Sequence, residues 1–305
     1  MGGGHDVTFL LRSDYAAAKT HGLALKSADG DMYLPPDSPR LRSTTEGMQP
    51  VDWLVLGLKA YALKHARELA GPCYGVHTRV LAITNGLCDD DLALVFGRER
   101  TFGAIAYVCV TRAAPAVIHH LHYGDLLIGK LSGARDLWRD SRVGVEVTPC
   151  LLRARWEKLL YNIPFSGMSV AMGGVTVDII AKDPSARAAA TRMMEEARAI
   201  GNADLAAHGV EGEMPAALLG KMWDYTDRAG AYLPSASVDL LAGRPVELEH
   251  LLEVPLARAA ALGVPAPTLS EQLELARAAV QARMSKVEAQ SRGAGCSSGA
   301  CVEQA

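Results

Sequence analysis

The feature that most constrains the fold is a change of sequence pattern at Pro149. Before this residue, short apolar runs of strand length alternate with helical segments; after it, apolar residues recur at helical spacing up to about residue 290. Short apolar strands that alternate with helices indicate a parallel sheet with helices on both faces. The pattern therefore predicts an α/β domain over residues 1–149, an all-helical domain over 150–290 and a disordered tail over 291–305.

The individual elements are predicted from these periodicities and from the positions of Gly and Pro. In the first half we expect strands at 7–11, 51–58 and 80–83, a hairpin at 23–34, a loop at 35–46, helices at 14–21 and 60–69, and a three-stranded antiparallel meander at 102–131 with turns at 112–115 and 124–125. In the second half we expect helices at 151–172, 185–201, 213–226, 247–262 and 270–287, the first of them disturbed by Pro164.

Three nitrogen-bearing side chains stand at the ends of predicted strands. Arg12 and Lys59 each follow an apolar run, and Asn85 follows a third. Ligands of open α/β sheets bind at the carboxyl ends of the strands. We therefore expect these three residues to contact a ligand.

A second group of polar residues recurs every four positions in an otherwise apolar segment. Lys158, Asn162 and Ser166 share one face if the segment is helical. A lysine is seldom fully buried unless it is paired. Lys158 is therefore either a surface residue whose stem covers apolar area, or a working amine paired with a carboxylate of the 232–249 segment, such as Asp239, Glu247 or Glu249.

Composition and charge exclude several classes of function. The net charge of -3 and the pI near 6.3 provide no basic field for nucleic acid. The sequence contains neither an apolar run of about eighteen residues nor a secretory signal, which predicts a cytoplasmic protein without a membrane span. Its six cysteines are scattered, so we predict reduced thiols and no disulfide framework.

A group of three histidines and a pair of cysteines could each suggest a metal site, but we interpret neither of them as one. His119, His120 and His122 fall in a predicted strand, where neighbouring side chains point to opposite faces. We interpret them as ordinary strand histidines and predict no metal site. Cys296 and Cys301 lie in the predicted tail, where metal binding or oxidation is the alternative to an unstructured end.

Five ordered stretches give the chain a resemblance to ketopantoate reductase (2-dehydropantoate 2-reductase) from His5 to about Arg283. They are G-H-D-V-T-F-L-L-R, which ends at Arg12; L-K-A around Lys59; T-N-G around Asn85; E-K-L-x-x-N from Glu157; and S-x-x-x-D followed by R-P-x-E, which ends at Glu247. The resemblance implies an NADP-binding Rossmann-like domain followed by an all-α domain of the 6-phosphogluconate dehydrogenase type. It also implies reduction of a 2-oxo acid by NADPH in the pathway to pantothenate and coenzyme A.

The resemblance assigns a role to each matching residue. In it Lys158 is the proton donor, with Glu247 close to that lysine and to the cofactor. The implied substrate ligands are Asn85, Asn162, Ser166 and Ser235, and the implied cofactor ligands are Arg12, Lys59, Asn85 and Glu247. Arg12 matches the arginine that contacts the adenosine 2′-phosphate, which favours NADP over NAD. A homodimer is an additional expectation.

The chain departs from the family in two respects. Ser166 and Thr176 stand where the family has amide side chains, which favours a different or larger 2-oxo acid. The usual first strand and G-x-G-x-x-G loop are missing, and Gly2-Gly3-Gly4 does not replace them because no strand precedes it. We therefore expect an N-terminally truncated Rossmann-like domain whose true start lies upstream, or else a non-catalytic relic or association subunit of the same family.

Overall fold

The structure is a computed structural model that describes residues 4–129 and 133–296 of the chain. The chain divides into two compact units, Met1–Leu151 and Leu152–Ala305. The first contains all the strands of the described ranges, and the second contains helices. The predicted class, an α/β domain followed by a helical domain, is confirmed.

Unit 1 is built mainly from strands. Strands β1 to β9 span Phe9–Leu10, Leu23–Ser27, Met32–Leu34, Leu41–Arg42, Trp53–Leu56, Arg79–Ile83, Thr101–Ala114, Val117–Gly129 and Val145–Thr148. Helices α1 to α3 span Tyr15–His21, Ala66–Ala70 and Asp89–Phe96, and short 3-10 helices cover Ala60–His65, Gly71–Cys73, Arg98–Arg100 and Arg135–Trp138. The sequence pattern predicts neither β9 nor α3, and it extends α2 back over the 3-10 segment that precedes it.

Seven strands form a mixed sheet in the order β3-β2-β8-β7-β6-β5, with β9 also paired to β8. The β5–β6, β6–β7, β2–β8 and β8–β9 pairs are parallel, whereas β2–β3 and β7–β8 are antiparallel. The predicted parallel pairing is confirmed for β5 and β6. The predicted hairpin at 23–34 and the antiparallel pairing of the first two meander strands are confirmed by the β2–β3 and β7–β8 pairs.

The third strand of the predicted meander does not exist. The expected turn at 124–125 is wrong, because the chain continues through it as β8 with irregular pairing to β7. The irregular pairing coincides with positive φ values of 64° at Tyr123 and 146° at Gly124. The ring of His120 bonds to the Tyr123 carbonyl and, at 2.8 Å, to the Ser27 hydroxyl, so it has a structural role here.

A separate two-stranded sheet is formed by β1 and β4, with Phe9 opposite Leu41 and Leu10 opposite Arg42. The predicted loop at 35–46 is therefore wrong where it contains β4. The predicted strand at 7–11 is limited to two residues because its partner is equally short. In the described ranges no strand pairs with the outer edge of β5.

Unit 2 is helical. Helices α4 to α10 span Leu151–Ala171, Val177–Lys182, Pro184–Ala207, Ala217–Ala229, Ser235–Leu241, Val254–Leu262 and Pro267–Cys296, and a π-helical turn covers Glu249–Glu253. The short helices α5 and α8 are not predicted by the sequence pattern. No helix of the described ranges is long and apolar enough to cross a membrane.

Helix α4 is largely buried, and it runs through Pro164 without a break. The expected disturbance at Pro164 is wrong, because the flanking residues are held by burial on both sides of the proline. The apolar residues around it are at most 2% exposed: Trp156, Leu159, Leu160, Ile163 and Phe165.

Two helices of unit 2 have boundaries that differ from the predicted ones. The expected helix at 247–262 begins with the π-helical turn, and α9 follows it. Helix α10 continues to Cys296 and so includes residues 291–296 of the predicted tail. The rest of that prediction, residues 297–305 with Cys301, lies outside the described residues.

Candidate functional site

Lys59 and Asn85 are brought together at the carboxyl edge of two parallel strands. Leu56 of β5 lies opposite Ala82 of β6, and beyond them the Thr84 hydroxyl donates to the Leu58 carbonyl at 3.3 Å. Lys59 directly follows Leu58, and Asn85 directly follows Thr84. The backbone atoms that carry these two side chains are therefore close together. Lys59 is half-buried and Asn85 is exposed.

Arg12 follows β1 on the separate two-stranded sheet. The neighbouring Leu11 N–H donates to the Arg42 carbonyl at 2.8 Å, and the Arg12 carbonyl accepts from the Tyr15 N–H at 3.1 Å, where α1 begins. Its side chain is exposed. An exposed guanidinium, an ammonium and an amide at strand ends are donor groups that fit an anionic dinucleotide, so unit 1 is compatible with the predicted NADP.

Helix α4 places Lys158, Asn162 and Ser166 on one face, as their spacing predicts. Lys158 and Asn162 are half-buried, and Ser166 is 8% exposed. Burial of the amine, and then the positive charge of Arg155, lower the pKa of Lys158 to about 8. At neutral pH this lysine is therefore mostly charged but close to its point of deprotonation, which suits a proton donor.

Arg155 is a residue that the sequence reasoning missed. It is 2% exposed and lies one helical turn before Lys158, so it shares that face of α4. A charged residue three positions before a predicted catalytic lysine in an apolar helix was the available signal. Burial of a second cation on this face explains part of the low pKa of Lys158.

The predicted carboxylate and hydroxyl partners lie on later elements of unit 2. Ser235 is the exposed first residue of α8 and follows Pro234, whose backbone is extended. Glu247 is half-buried, and its carbonyl accepts from the Leu251 N–H at 3.1 Å where the π-helical turn begins. The pairing of Glu247 with Lys158 stays a prediction. Asp239 accepts a hydrogen bond from Arg244 Nε at 2.9 Å.

Helix α8 is fastened to α4 by two hydroxyls that the sequence reasoning also missed. Ser169 and Ser237 are both fully buried, and their Oγ atoms are 2.6 Å apart. The Ser169 hydroxyl donates to the Val175 carbonyl, so Ser237 must be the donor between the two serines. This chain of hydroxyls fixes α8, and with it the position of Ser235.

The segment 174–177 runs along α8 and places Thr176 near its beginning. A Cβ on Gly174 would lie 2.8 Å from the Leu241 side chain at the end of α8, whereas the Val177 N–H donates to the Tyr232 carbonyl at 2.9 Å, three residues before Ser235. The Thr176 hydroxyl donates to Asp178 Oδ1 at 2.5 Å, so its proton is used within the segment.

A buried carboxylate holds α4 from the other side. Asp204 of α6 is 3% exposed. Its Oδ2 atom accepts a hydrogen bond from Trp156 Nε1 at 2.7 Å, and both of its carboxylate oxygens lie 2.7 Å from Arg258 Nη1, which donates to them. The indole also packs closely on Gly201, where an added Cβ would lie 2.9 Å from Trp156 Cδ2. The helix that carries Lys158 is thereby fixed two residues before that lysine.

Known proteins resemble the chain along most of its length. The family models described as ketopantoate reductase PanE/ApbA and its C-terminal part match residues 2–133 and 151–280. A 2-dehydropantoate 2-reductase from Nostoc sp. is 28% identical over 281 residues, which cover 88% of this chain and 85% of the relative.

Solved structures give the same result. The crystal structure of a 2-dehydropantoate 2-reductase from Geobacter metallireducens superposes with a TM-score of 0.84 at 33% identity and covers 91% of this chain and 93% of the other. A dimeric ketopantoate reductase from Staphylococcus aureus has a TM-score of 0.73 at 16% identity, with 86% and 88% of the two chains covered, and it shares the fold.

These matches do not support the alternative of a truncated relic. The relatives are covered over 85% or more of their own length, and both predicted domains match a family model. The α/β unit and the helical unit match the two parts of one enzyme family. The chain belongs to the ketopantoate reductase family.

Proposed function

We propose that the chain reduces ketopantoate, or a related 2-oxo acid, to the 2-hydroxy acid with NADPH. Ketopantoate reductases are oxidoreductases that use NADPH, and the matched relatives are named for this reaction. The observation that carries the proposal is the half-buried Lys158 with a pKa of about 8, on one helical face with Asn162 and Ser166.

The residues of unit 2 perform the proton chemistry. NADPH, when bound, supplies the hydride to the keto carbon. The carbonyl oxygen gains negative charge, and the Lys158 ammonium stabilises that charge and donates the proton. Asn162 and Ser166 orient the 2-oxo acid from the same face of α4, the Ser235 hydroxyl binds its carboxylate, and Glu247 is the acid beside Lys158 and the cofactor in this proposal.

The cofactor is held in this proposal by the residues at the strand ends of unit 1. Lys59 and Asn85 start from adjacent backbone at the carboxyl edge of β5 and β6. The Arg12 guanidinium donates two hydrogen bonds to the adenosine 2′-phosphate in this proposal, and this contact selects NADP over NAD. Asn85 also contacts the substrate.

Turnover of ketopantoate followed by NADPH absorbance tests the proposal, together with a fluorescence titration of NADPH. Lys158→Ala should lower kcat by about a hundredfold or more, since a positioned acid contributes that much, and leave the Kd for NADPH unchanged. Lys221→Ala is the matched control, because Lys221 is an exposed lysine on α7 of the same unit. An active Lys158→Ala enzyme contradicts the assigned role.

Arg12 is tested by comparing two cofactors. Arg12→Ala should weaken NADPH far more than NADH, because only NADPH carries the 2′-phosphate. Arg112→Ala is a control of the same charge, since Arg112 is an exposed arginine paired with Asp14 in the same unit. Equal losses for both cofactors would remove Arg12 from this role.

Two further expectations concern the state of the protein. We propose a homodimer, which is supported by the dimeric Staphylococcus aureus reductase of the same fold. Light scattering after size exclusion should then give twice the chain mass of 32.4 kDa. The cytoplasmic location stays a prediction, which cell fractionation tests.

A further inference from the structure

A buried carboxylate joins three helices of unit 2 close to the lysine that donates the proton in the proposed reaction. Asp204 of α6 accepts a hydrogen bond from Trp156 Nε1 of α4 at 2.7 Å, and Arg258 Nη1 of α9 lies 2.7 Å from each of its oxygens. Asp204 is 3% exposed, and Trp156 is fully buried. An ion pair and an indole thus meet in the interior two residues before Lys158.

The chemistry of this contact provides direction more than stability. An ion pair in the interior loses its hydration, and apolar residues of the same volume often give an equally stable protein. The Asp204 carboxylate instead restricts geometry, because a hydrogen bond from the indole N–H is strong only when it is well aligned. The face of the indole is restricted as well, since a Cβ on Gly201 would lie 2.9 Å from Trp156 Cδ2. The Trp156 side chain is therefore held both at its face and at its nitrogen.

Hydrogen-bonded contacts on two sides of α4 define how this helix is turned about its axis. Trp156 and Lys158 lie about 160° apart around the axis, so Asp204 holds α4 on the side away from Lys158. Ser169 comes about three turns after Lys158 and shares its side, where the Ser169 and Ser237 hydroxyl oxygens are 2.6 Å apart. The part of α4 that carries Lys158 lies between these two contacts. A rotation by about 10° would move a group about 6 Å from the axis by about 1 Å.

We propose that Asp204 is a positioning residue, which acts through Trp156 to hold the Lys158 ammonium in reach of the carbonyl oxygen of the substrate. The inference rests on the proposed function, in which Lys158 is the proton donor. A displacement of about 1 Å in a reacting group can lower the rate about a hundredfold. Loss of the Asp204 contact therefore lowers kcat through the position of Lys158, although both oxygens of Asp204 are bonded to protein groups.

The kinetics of two variants in two backgrounds test the proposal. Asp204→Asn removes the charge, whereas Trp156→Phe removes the indole N–H and keeps the ion pair of Asp204 with Arg258. Each should lower kcat for ketopantoate by about tenfold or more and leave the Kd for NADPH unchanged. Combined with Lys158→Ala, neither should lower the residual kcat further, because the group that they position is then missing.

Asp227→Asn is the matched control, because Asp227 is an exposed aspartate that pairs with Arg187 through both oxygens in the same unit. It should keep the wild-type kcat. A folded Asp204→Asn enzyme with the wild-type kcat overturns the proposal. An equal factor of loss in the wild-type and Lys158→Ala backgrounds overturns it too, since the contact then acts independently of the lysine. If Asp204→Asn does not fold, Trp156→Phe decides by the same criteria.

The pKa of the Lys158 amine provides a measurement without turnover. Burial and the charge of Arg155 lower this pKa to about 8. Carbon-13 NMR of the full chain with dimethylated lysines follows the titration, and Lys158→Ala assigns the signal. A helix that turns more freely admits water to the amine, so Asp204→Asn should raise the pKa towards its ordinary value of 10.5, and Asp227→Asn should not.

The two measurements together separate this inference from the proposed function. If the wild-type protein does not reduce ketopantoate but Asp204→Asn raises the pKa of Lys158, the proposed function fails and the positioning of the lysine stands. If the wild-type protein reduces ketopantoate while Asp204→Asn changes neither kcat nor the pKa of Lys158, the positioning role alone is overturned.

Discussion

Lys158 donates a proton only as an ammonium, so its pKa sets the pH range of the proposed reaction. Burial and the charge of Arg155 lower that pKa to about 8. Because the charged form is present below the pKa and lost above it, we expect kcat for reduction to fall above pH 8. Oxidation of the 2-hydroxy acid needs the neutral amine and should rise over the same range. A pH profile of both directions measures this, and a reduction rate that stays flat from pH 7 to 9.5 contradicts it.

Arg155 provides the control for that profile. Arg155→Met removes a positive neighbour, which raises the pKa of Lys158 and moves the fall in reduction to higher pH. Arg155→Lys keeps the charge and should keep the profile. Equal profiles for wild type and Arg155→Met would show that burial alone sets the pKa of Lys158.

The two buried serines should respond unequally to substitution. Ser169→Ala leaves the Ser237 hydroxyl without its acceptor and the Val175 carbonyl without its donor, which costs about 1–3 kcal/mol of stability. Ser237→Ala leaves the Ser169 bond to Val175 intact and should cost less. Urea unfolding measures both free energies, with the exposed Ser270→Ala as control. A larger loss for Ser237→Ala would contradict the assigned direction of the hydrogen bonds.

Spacing alone predicted which polar residues share a face of α4. A spacing of four residues is close to one helical turn, so it places Lys158, Asn162 and Ser166 on the same face of α4. The burial of Arg155 was not predicted, because arginine side chains are mostly exposed. Only its position three residues before Lys158 in an apolar helix pointed to that face of α4. Ser169 and Ser237 were missed for a related reason, since their partnership joins residues 68 positions apart.

At the scale of elements, the packing of α4 on α6 depends on Gly201. A Cβ there would overlap Met214 Cε and lie 2.9 Å from Trp156 Cδ2. Gly201→Ala should therefore destabilise the protein by about 1–3 kcal/mol through overpacking. Gly220→Ala is the matched control, because Gly220 lies in α7 with open space around it and should gain about 0.5–1 kcal/mol. Thermal unfolding compares the two, and a neutral Gly201→Ala would show that the indole shifts readily.

Long elements were predicted more reliably than short ones. Helices α4, α6 and α10 carry several turns of apolar spacing, whereas α5 and α8 have six and seven residues and too few turns to show a period. Strand β4 lies in a segment with three prolines and exists only through its pairing with β1. Gly124 resembles a turn in sequence, but it sits within the irregular pairing of β8.

At the scale of the whole molecule, the cofactor should act as a stabilising ligand. A ligand that binds only the folded state adds about 2.7 kcal/mol of stability at a hundred times its Kd. NADPH should accordingly raise the melting temperature, and NADH at the same concentration should raise it less. Arg12→Ala should reduce the shift with NADPH specifically. A melting temperature that does not respond to NADPH would contradict cofactor binding by the chain.

The division of the chain was predictable because the pattern of apolar residues changes once, near Pro149. The pairing within the sheet was predictable in part. Turn residues predicted the antiparallel β2–β3 and β7–β8 pairs, whereas the parallel β2–β8 pair joins strands that are far apart in sequence. The arrangement of β1 and β4 as a sheet of their own depends on partners far apart in sequence, which single strands do not specify.

The small β1–β4 sheet has a consequence for the exchange of amide hydrogens with solvent. Two short strands hold it, with a cluster of Ala18, Leu41 and Ala116 beneath, so it can open locally at far less cost than global unfolding. Deuterium uptake at residues 9–12 should be much faster than at Val80–Ala82, which are fully buried. Because Arg12 follows β1, NADPH should slow deuterium uptake at residues 9–12 more than NADH does. The selection of the 2′-phosphate would then include the free-energy cost of ordering this two-residue strand.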